Sequence, residues 1–411
     1  MRNILILGAG TGGTTMASRL RRTLSARDWA ITGVDRDNEH VYQPGLLFIP
    51  FGDYRTDELT KPRDALLPDG VSFRVATVDR IEAEHNRVHL EGGETLGYDI
   101  LIVATGCRTS AEATDGLTGE GWNETAFDFY TPQGALGLAR KLEAMERGRL
   151  VIDVAAMPIK CPVAPLEFAF LADAYFTRRG VRDQIEIVYA TPLDAAFTKP
   201  VASRMLGDLL ERKGIVLEAD FPASRVDGEA RVLHSYNGRT LDYDLLVIVP
   251  LHFGAESIMR SGLGDDMGFV PTDKHTLQSV AHKNIFVLGD ATDLPTSKAG
   301  AVAHFQSEVL HDNIVRYIEG RALEPAFDGH ANCFIETGHD KAMLVDFNYT
   351  TEPLPGRFPL PGIGPFSLLE ESHVNHWGKL AFKWVYWNVL LRGTQLPMDH
   401  RMLMAGKWEN R

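Results

Sequence analysis

Short runs of apolar, often β-branched residues recur along the chain, and helical patterns of apolar residues follow several of them. The first run, residues 4–7, leads through the glycine-rich segment 8–13 into a helical pattern over 15–23. The next run, 31–34, ends at an acidic residue. Apolar runs of this length are typical of buried parallel strands, and their alternation with helices predicts an α/β fold.

The glycine-rich segment has the spacing of a dinucleotide-binding turn. Gly8, Gly10 and Gly13 fit the G-x-G-x-x-G pattern between a strand and a helix. Such glycines let the backbone approach a pyrophosphate, which the free amides at the helix start would bind. Asp35 follows Gly13 by 22 residues, where a carboxylate typically accepts hydrogen bonds from ribose hydroxyls. The sequence therefore predicts dinucleotide binding, against the alternative of a glycine-rich turn without a ligand.

Two later strand–turn segments indicate which dinucleotide is bound. Segment 98–106 is an apolar strand that ends in Ala-Thr-Gly, and segment 284–290 is a strand that ends in Gly-Asp. In this order the three motifs resemble the flavoprotein superfamily with two dinucleotide-binding domains. The resemblance implies FAD as the N-terminal ligand, with its ribityl chain held by Asp290. The residues that would hold FAD are Gly8, Gly10, Gly13, Asp35, Ala104, Thr105, Gly106, Gly289, Asp290 and Lys298.

The corresponding turn in the second half of the chain lacks the glycines that a second dinucleotide would need. The strand at 149–153 is followed by segment 154–167, which contains prolines and a cysteine but no glycine. Side chains would therefore fill the space of a second pyrophosphate. We expect this domain to keep a Rossmann-like architecture without binding NAD(P)H in the ordinary manner.

The glycine-free segment is similar to a motif of one flavoprotein family. Cys161 and Glu167 occupy matching positions of the P-x-K-C-x-x-A-P-x-E segment of sulfide:quinone oxidoreductases and flavocytochrome c sulfide dehydrogenases. Cys333 resembles the second redox cysteine of the same family, and Lys298 lies in a further matching segment, 293–300. The resemblance extends over nearly the whole chain.

This resemblance implies that sulfide is oxidised at a cysteine pair. Cys161 and Cys333 would be linked at rest through one or more sulfur atoms, and the product would be sulfane sulfur or polysulfide. Electrons would pass through FAD to a membrane quinone. Glu167 would relay protons, Lys298 would stabilise reduced flavin, and Lys160 would lower the pKa of Cys161. The alternative is that both cysteines are small buried hydrophobic residues.

The C-terminal tail combines aromatic and basic residues at helical spacing. Residues 371–411 carry six basic and three acidic side chains, although the whole chain has a net charge of −13. The aromatic residues favour a membrane interface, but the apolar stretch is too short to span a bilayer. The tail resembles the membrane-anchoring helices of quinone reductases, with basic residues toward lipid headgroups; the alternative is a helix packed on the body or on a second subunit. Tentative quinone contacts are Phe334, Ile335, Phe382 and Trp384.

Composition narrows the classes of function. The 411 residues include 55 acidic and 42 basic side chains, a balance that disfavours a nucleic-acid partner. No apolar run is long enough for a transmembrane helix, and the N-terminus has a strand pattern instead of that of a cleaved secretory signal. Three cysteines are too few for a disulfide framework. We expect a structural role for Cys107 and assign no metal site.

We therefore predict two Rossmann-like domains and a C-terminal amphipathic anchor. Residues 1–110 and 250–330 would bind FAD, 111–249 would form the second domain, and 331–411 would carry Cys333 and the anchor. The protein would be a peripheral sulfide:quinone oxidoreductase of the cytoplasmic membrane, and a homo-oligomer is compatible with the sequence. The alternatives are a type II NADH:quinone dehydrogenase, a flavocytochrome c sulfide dehydrogenase subunit, and a non-catalytic flavin scaffold.

Overall fold

The computed structural model describes residues 1–360, 362, 364–395 and 399–408. The elements of the first 110 residues are β1 (Arg2–Leu7), α1 (Thr11–Thr23), β2 (Trp29–Asp35), β3 (Glu39–Val41), β4 (Thr60–Pro62), β5 (Val71–Val75), β6 (Val78–Glu82), β7 (Arg87–Leu90), β8 (Thr95–Gly97), β9 (Ile100–Val103) and β10 (Arg108–Ser110). A nine-residue 3₁₀ segment, Gln43–Phe51, lies between β3 and β4.

The middle of the chain alternates strands and helices. Its elements are β11 (Ala126–Phe127), α2 (Pro132–Ala144), β12 (Gly148–Val154), α3 (Ala164–Arg178), β13 (Ile185–Ala190), α4 (Pro200–Arg212), β14 (Ile215–Glu218), β15 (Ala223–Asp227), β16 (Val232–Ser235), β17 (Thr240–Asp242), β18 (Leu245–Val249), β19 (Leu251–Phe253) and α5 (Glu256–Arg260). The remaining elements are β20 (Ile285–Val287), α6 (Gly300–Ile318), β21 (Ala331–Gly338), β22 (Lys341–Phe347), β23 (Gly356–Leu360), β24 (Gly364–Leu368) and α7 (His373–Val385), followed by a π-helical turn (Tyr386–Leu390).

Two five-stranded parallel sheets form the framework. The first has the order β20-β9-β1-β2-β5 and the second the order β11-β18-β12-β13-β14. The interior strands β9 and β18, one in each sheet, are buried along their whole length, as expected for sheets covered on both faces. The predicted α/β class is confirmed. In the first sheet, chain segments from before residue 104 and after residue 284 pair side by side.

The first helix begins earlier than the sequence pattern predicts. The predicted start was residue 15, but α1 begins at Thr11, so Gly12 and Gly13 lie within its first turn. A Cβ atom on Gly13 would lie 1.8 Å from the carbonyl oxygen of Gly8. Position 13 therefore requires glycine, because the first turn of the helix packs directly on the preceding loop and leaves no room for a side chain.

The C-terminal region forms a sheet and a helix, and its last turns pack on the first domain. The sheet has the order β21-β22-β24-β23, and α7 follows it. Beyond α7, Tyr386, Trp387 and Leu390 are buried against Tyr42 and neighbouring apolar residues of the 3₁₀ segment. The predicted anchor is thus in part a helix packed on the body, the alternative weighed above.

Candidate active site

Three turns meet at one edge of the first sheet. They follow β1, β9 and β20, which are neighbouring parallel strands, so their carboxyl ends lie together. Gly8 has a φ of +94°, and a Cβ atom there would lie 2.3 Å from the carbonyl oxygen of Ala104. A Cβ on Gly10, in contrast, would have no heavy atom within 4 Å. The turn is therefore closed toward the protein and open at the start of α1, which fits the pyrophosphate of a dinucleotide.

Polar groups around these turns are held in place by the backbone. The Asp35 carboxylate accepts a hydrogen bond from the Ala9 amide at 2.7 Å and pairs with Arg63 at 3.2 Å. The Gly289 amide donates to the Gln306 side chain at 2.6 Å. The Thr105 hydroxyl is buried without a protein hydrogen-bond partner. These features also fit a bound cofactor at this edge.

Asp290 contacts both Cys107 and Lys298. The Cys107 sulfur is 3.7 Å from a carboxylate oxygen of Asp290, and burial, followed by the Asp290 charge, raises the pKa of that thiol. The Lys298 ammonium donates to the backbone carbonyls of Asp290 and Thr292 at 2.9 and 2.8 Å and lies over the Phe269 ring. Cys107 is therefore a protonated thiol, and Lys298 supplies a buried positive charge close to Asp290.

Cys161 lies on a loop that hydrogen bonds to two distant parts of the chain hold in position. Its backbone has a φ of +44°, a left-handed conformation that costs energy for a residue other than glycine. Its amide donates to the Lys298 carbonyl at 2.8 Å, and the Tyr130 hydroxyl donates to the Lys160 carbonyl at 2.8 Å. The helix α3 begins three residues later. The fold therefore presents this cysteine at the junction of the two sheets.

The two predicted redox cysteines are half-buried and share two charged neighbours, Glu167 and Lys379. Burial raises the pKa of Cys161 well above its usual range, and the charges of Cys333 and Glu167 raise it further. Burial and then Glu167 raise the pKa of Cys333 to about 12. Both are free thiols in this structure, so the sulfur-bridged resting form stays a prediction. Protonated thiols need a base before they can act as nucleophiles.

A buried network of charges lies next to these thiols. The Glu167 carboxylate accepts a hydrogen bond from the Glu336 amide at 2.7 Å and pairs with the ammonium group of Lys379. Lys379 also donates to the Phe334 carbonyl at 3.0 Å. The Glu336 carboxylate in turn contacts His376 at 3.0 Å. A cation on α7 therefore reaches across to the cysteines, and burial raises the pKa of both carboxyls.

The basic residues near the cysteines differ in their contacts. Lys160 donates to the Gln43 side chain at 3.1 Å, and the cation with the largest lowering effect on the pKa of Cys161 is Lys379. Lys379 itself was expected to face lipid headgroups, but only 13% of its side chain is exposed. The local helical pattern groups this lysine with the neighbouring tryptophans. Such a pattern carries no information about a buried carboxylate elsewhere in the chain that requires a counter-charge.

Sequence reasoning missed three other residues of this region. Glu336 and His376 extend the network around Glu167, and Tyr130 holds the Cys161 loop. None of them belongs to the motifs used above. A buried glutamate in an apolar strand, three residues after Cys333, was the one signal that could have indicated such a network.

Mainly apolar side chains lie at the edge of the second sheet, where the sequence has no glycine-rich turn. A cavity of about 280 Å³ lies there. Its lining is Ala113, Thr114, Ala155, Ala156, Met157, Pro192, Leu193, Pro222, Ala223, Ser224, Tyr236 and Leu251. Among the described residues that line it none is charged, and its volume is below the roughly 300–1,000 Å³ of typical ligand pockets. This lining therefore supplies no cationic side chain for a pyrophosphate.

The outer face of α7 is apolar and aromatic. Trp377 and Trp384, two turns apart, are each 64% exposed, and Val374 is 38% exposed on the same side. Phe334 and Phe382 are half-buried at the inner side of this helix, whereas Ile335 lies fully inside the core. Among the described residues, no helix combines the length and the apolar character that crossing a bilayer requires.

Comparison with known proteins identifies the family. The pyridine nucleotide-disulphide oxidoreductase family matches residues 2–306. The chain belongs to this family. Its members are FAD-binding flavoproteins, so the predicted cofactor and the prediction of a flavin-dependent oxidoreductase are confirmed.

Relatives within this family are named sulfide:quinone oxidoreductase, which confirms the resemblance seen in the sequence. The mitochondrial protein of Mus musculus is 27% identical over 398 residues, covering 95% of this chain and 86% of the mouse protein. That of Dictyostelium discoideum is 27% identical over 397 residues, with the same coverage. The sulfide:quinone oxidoreductase structure from Aquifex aeolicus has a TM-score of 0.80 at 20% identity, covering 96% of this chain and 92% of that one. This last likeness establishes the fold.

Proposed function

We propose that the chain is a peripheral membrane sulfide:quinone oxidoreductase that uses FAD and the cysteine pair. The observation that carries the proposal is that Cys161 and Cys333, far apart in sequence, are both half-buried against the same core and share Glu167 and Lys379 as charged neighbours. The names of the relatives support the same reaction. The glycine-free, uncharged edge of the second sheet argues against NADH as the electron donor.

Residues 1–110 and 250–330 would form the FAD domain, and 111–249 the second domain. Within the first, the proposed cofactor contacts are Gly8, Gly10, Gly13, Asp35, Ala104, Thr105, Gly106, Gly289, Asp290 and Lys298. When bound, FAD would supply a two-electron acceptor between sulfur and quinone. The buried ammonium of Lys298 would favour negative charge near Asp290, and the first turn of α1 would bind phosphate.

Sulfur chemistry would take place between the two cysteines. Hydrosulfide would attack one sulfur of a bridge between Cys161 and Cys333, leaving a persulfide on one cysteine and a thiolate on the other. Closing the bridge again with one added sulfur releases one proton and two electrons, which the quinone finally accepts. Repetition lengthens the sulfur chain and accounts for a sulfane sulfur or polysulfide product.

Glu167 would accept the proton released in this reaction, and Lys379 would stabilise the thiolate. A carboxylate whose pKa is raised by burial is matched to accept a proton near neutral pH, and Glu167 acts electrostatically on both thiols. The ammonium of Lys379 would stabilise the thiolate that leaves during exchange. Lys379 also approaches the carbonyl next to Cys333, so it would connect the sulfur site with α7.

The quinone and the lipid surface would be met at α7. The exposed tryptophans would lie at the membrane interface, with quinone reaching the flavin past the half-buried aromatic residues. The proposed contacts for quinone are Phe334, Ile335, Phe382 and Trp384. Of these, Phe334 and Phe382 flank the inner side of the helix and are the stronger candidates.

The reaction is tested by anaerobic mixing of the purified holoenzyme with sulfide while the flavin absorbance is recorded. Rapid bleaching by sulfide, reversed by a soluble quinone, is the expected result, with NADH as the paired donor control. Cys161→Ser and Cys333→Ser should each abolish bleaching, whereas Cys107→Ser, which keeps a donor to Asp290, should retain it. Bleaching by NADH alone would contradict the proposal.

Membrane docking is tested by sedimentation with anionic phospholipid vesicles. The double variant Trp377→Ala/Trp384→Ala should lose most of the vesicle binding because it removes the exposed aromatic surface. Tyr236→Ala is the matched control, since Tyr236 is 80% exposed on the second domain. Equal binding of both variants and the wild type would show that α7 is not the docking surface.

A further inference from the structure

Tyr386, the first residue of the π-helical turn after α7, contacts the flavin-binding turn directly. Its hydroxyl lies 2.7 Å from the Thr11 hydroxyl and 2.6 Å from Nε2 of His40. The other ring nitrogen of His40, Nδ1, lies 3.2 Å from the Ala9 carbonyl oxygen. Tyr386 and His40 are 2% and 1% exposed. A buried series of hydrogen bonds therefore links four residues from three distant parts of the sequence.

The donor and the acceptor of each of these three hydrogen bonds can be assigned. The Ala9 carbonyl can only accept, so Nδ1 of His40 carries its proton. Burial, and then the charge of Arg63, lower the pKa of His40 to about 4, so the ring is neutral at pH 7 and Nε2 accepts. Tyr386 therefore donates to His40, and Thr11 donates to Tyr386. Each donor has one acceptor, and none is left over.

The same face of α1 is fastened to the tail one and two turns further on. The Ser18 hydroxyl donates to the Leu391 carbonyl at 3.0 Å, and the Thr15 hydroxyl shares its one proton between the Thr11 carbonyl at 2.7 Å and the Leu390 carbonyl at 3.3 Å. The spacing of 11, 15 and 18 follows the helical repeat, so these contacts form one continuous seam. The carbonyls they satisfy belong to the π-helical turn and its end, where the regular helical pairing of carbonyls is altered.

We propose that the C-terminal segment from Tyr386 to Leu391 is a structural part of the FAD site. Thr11 is the first residue of α1, and its amide belongs to the group that would bind the pyrophosphate. By engaging the Thr11 hydroxyl and, through His40, the Ala9 carbonyl, Tyr386 braces the turn on both sides of Gly10. Tyr386 is thus a positioning residue for the cofactor. The proposal rests on FAD binding in the proposed function but not on sulfide as the donor.

The test measures FAD release from the holoenzyme, followed by the rise in flavin fluorescence after dilution. Tyr386→Phe keeps the ring and removes the hydroxyl with both of its hydrogen bonds, so release should be faster by at least about three- to tenfold, the effect of a single hydrogen bond. Tyr42→Phe is the matched control. Its ring packs 4.9 Å from that of Tyr386, but its hydroxyl takes no part in the series of hydrogen bonds above, so release should match the wild type.

A second variant keeps the proposal testable if Tyr386→Phe does not fold. Thr11→Val is nearly isosteric and removes only the bond from Thr11 to Tyr386, so it should accelerate release by about three- to tenfold. The double variant should release FAD little faster than Tyr386→Phe alone, because that change already breaks the same bond. Release at the wild-type rate from either single variant would overturn the proposal, whatever the sulfide assay shows.

Discussion

The buried charge network predicts a large and pH-dependent effect of one substitution, Lys379→Met. Lys379 pairs with Glu167, and their side chains are 13% and 1% exposed. Removing the cation leaves a buried carboxylate without its counter-charge, and breaking such a pair costs about 3–5 kcal/mol. Lys383, one turn further along α7, pairs with Glu58 at 3.0 Å, but those side chains are 22% and 47% exposed. Lys383→Met should therefore cost less than about 1 kcal/mol.

The pH dependence of the Lys379→Met effect has a definite sign. Burial already raises the pKa of Glu167 above its unfolded value, and Lys379 opposes that rise. Without the lysine the folded carboxyl binds its proton more tightly than the unfolded one does. The folded state then gains stability as the pH falls through this pKa, by at most about 1.4 kcal/mol per pH unit. The loss of stability should be larger at pH 8 than at pH 5.5.

Urea unfolding followed by circular dichroism at both pH values provides the assay. The double variant Lys379→Met/Glu167→Gln should recover at least about 2 kcal/mol relative to the sum of the single changes, because the two sites are in contact. A loss for Lys379→Met no greater than that of Lys383→Met, or a loss equal at both pH values, would refute the buried pairing.

Two further outcomes follow from the site. Glu167→Gln removes a negative charge that raises both thiol pKa values, so in protein whose cysteines have first been reduced, alkylation of Cys161 and Cys333 by iodoacetamide should reach its half-maximal rate at lower pH; an unchanged profile would argue against the shared neighbour Glu167. Gly13→Ala should abolish FAD retention because its Cβ would lie 1.8 Å from a backbone oxygen, whereas Gly207→Ala, in a helix with nothing within 4 Å, should stabilise by roughly 0.5–1 kcal/mol. FAD retention and thermal unfolding of the two glycine variants check this contrast.

Apolar runs and glycine positions in the sequence are sufficient to predict the strands and turns of the first sheet. Buried parallel strands require continuous apolar runs, and the turns after them require glycines at set positions, so residues 4–13 and 98–106 were recognised without a structure. The cysteines at 161 and 333 were likewise marked by their neighbours in sequence. Each of these features depends on interactions within about a dozen residues.

Long-range contacts were beyond the reach of pattern reasoning. Lys379 has the periodicity of a lipid-facing lysine, but 212 positions along the chain separate it from the buried Glu167 that it neutralises. Tyr386 similarly has the composition of an interfacial aromatic residue, yet it lies 375 positions from its partner Thr11. Which face of a helix is buried, and which charge it compensates there, depends on elements that meet only after folding.

The chain alone therefore predicted the α/β class, which the fold confirms, and it indicated the proposed flavin turns and cysteine pair, because local backbone geometry and short motifs encode such features. The folded protein decided which side of α7 faces outward, and it joined Lys379 to Glu167 and Tyr386 to Thr11. The physical reason is that a buried charge or hydroxyl is tolerated only where a specific partner is brought within hydrogen-bonding distance. That partner is chosen by tertiary packing.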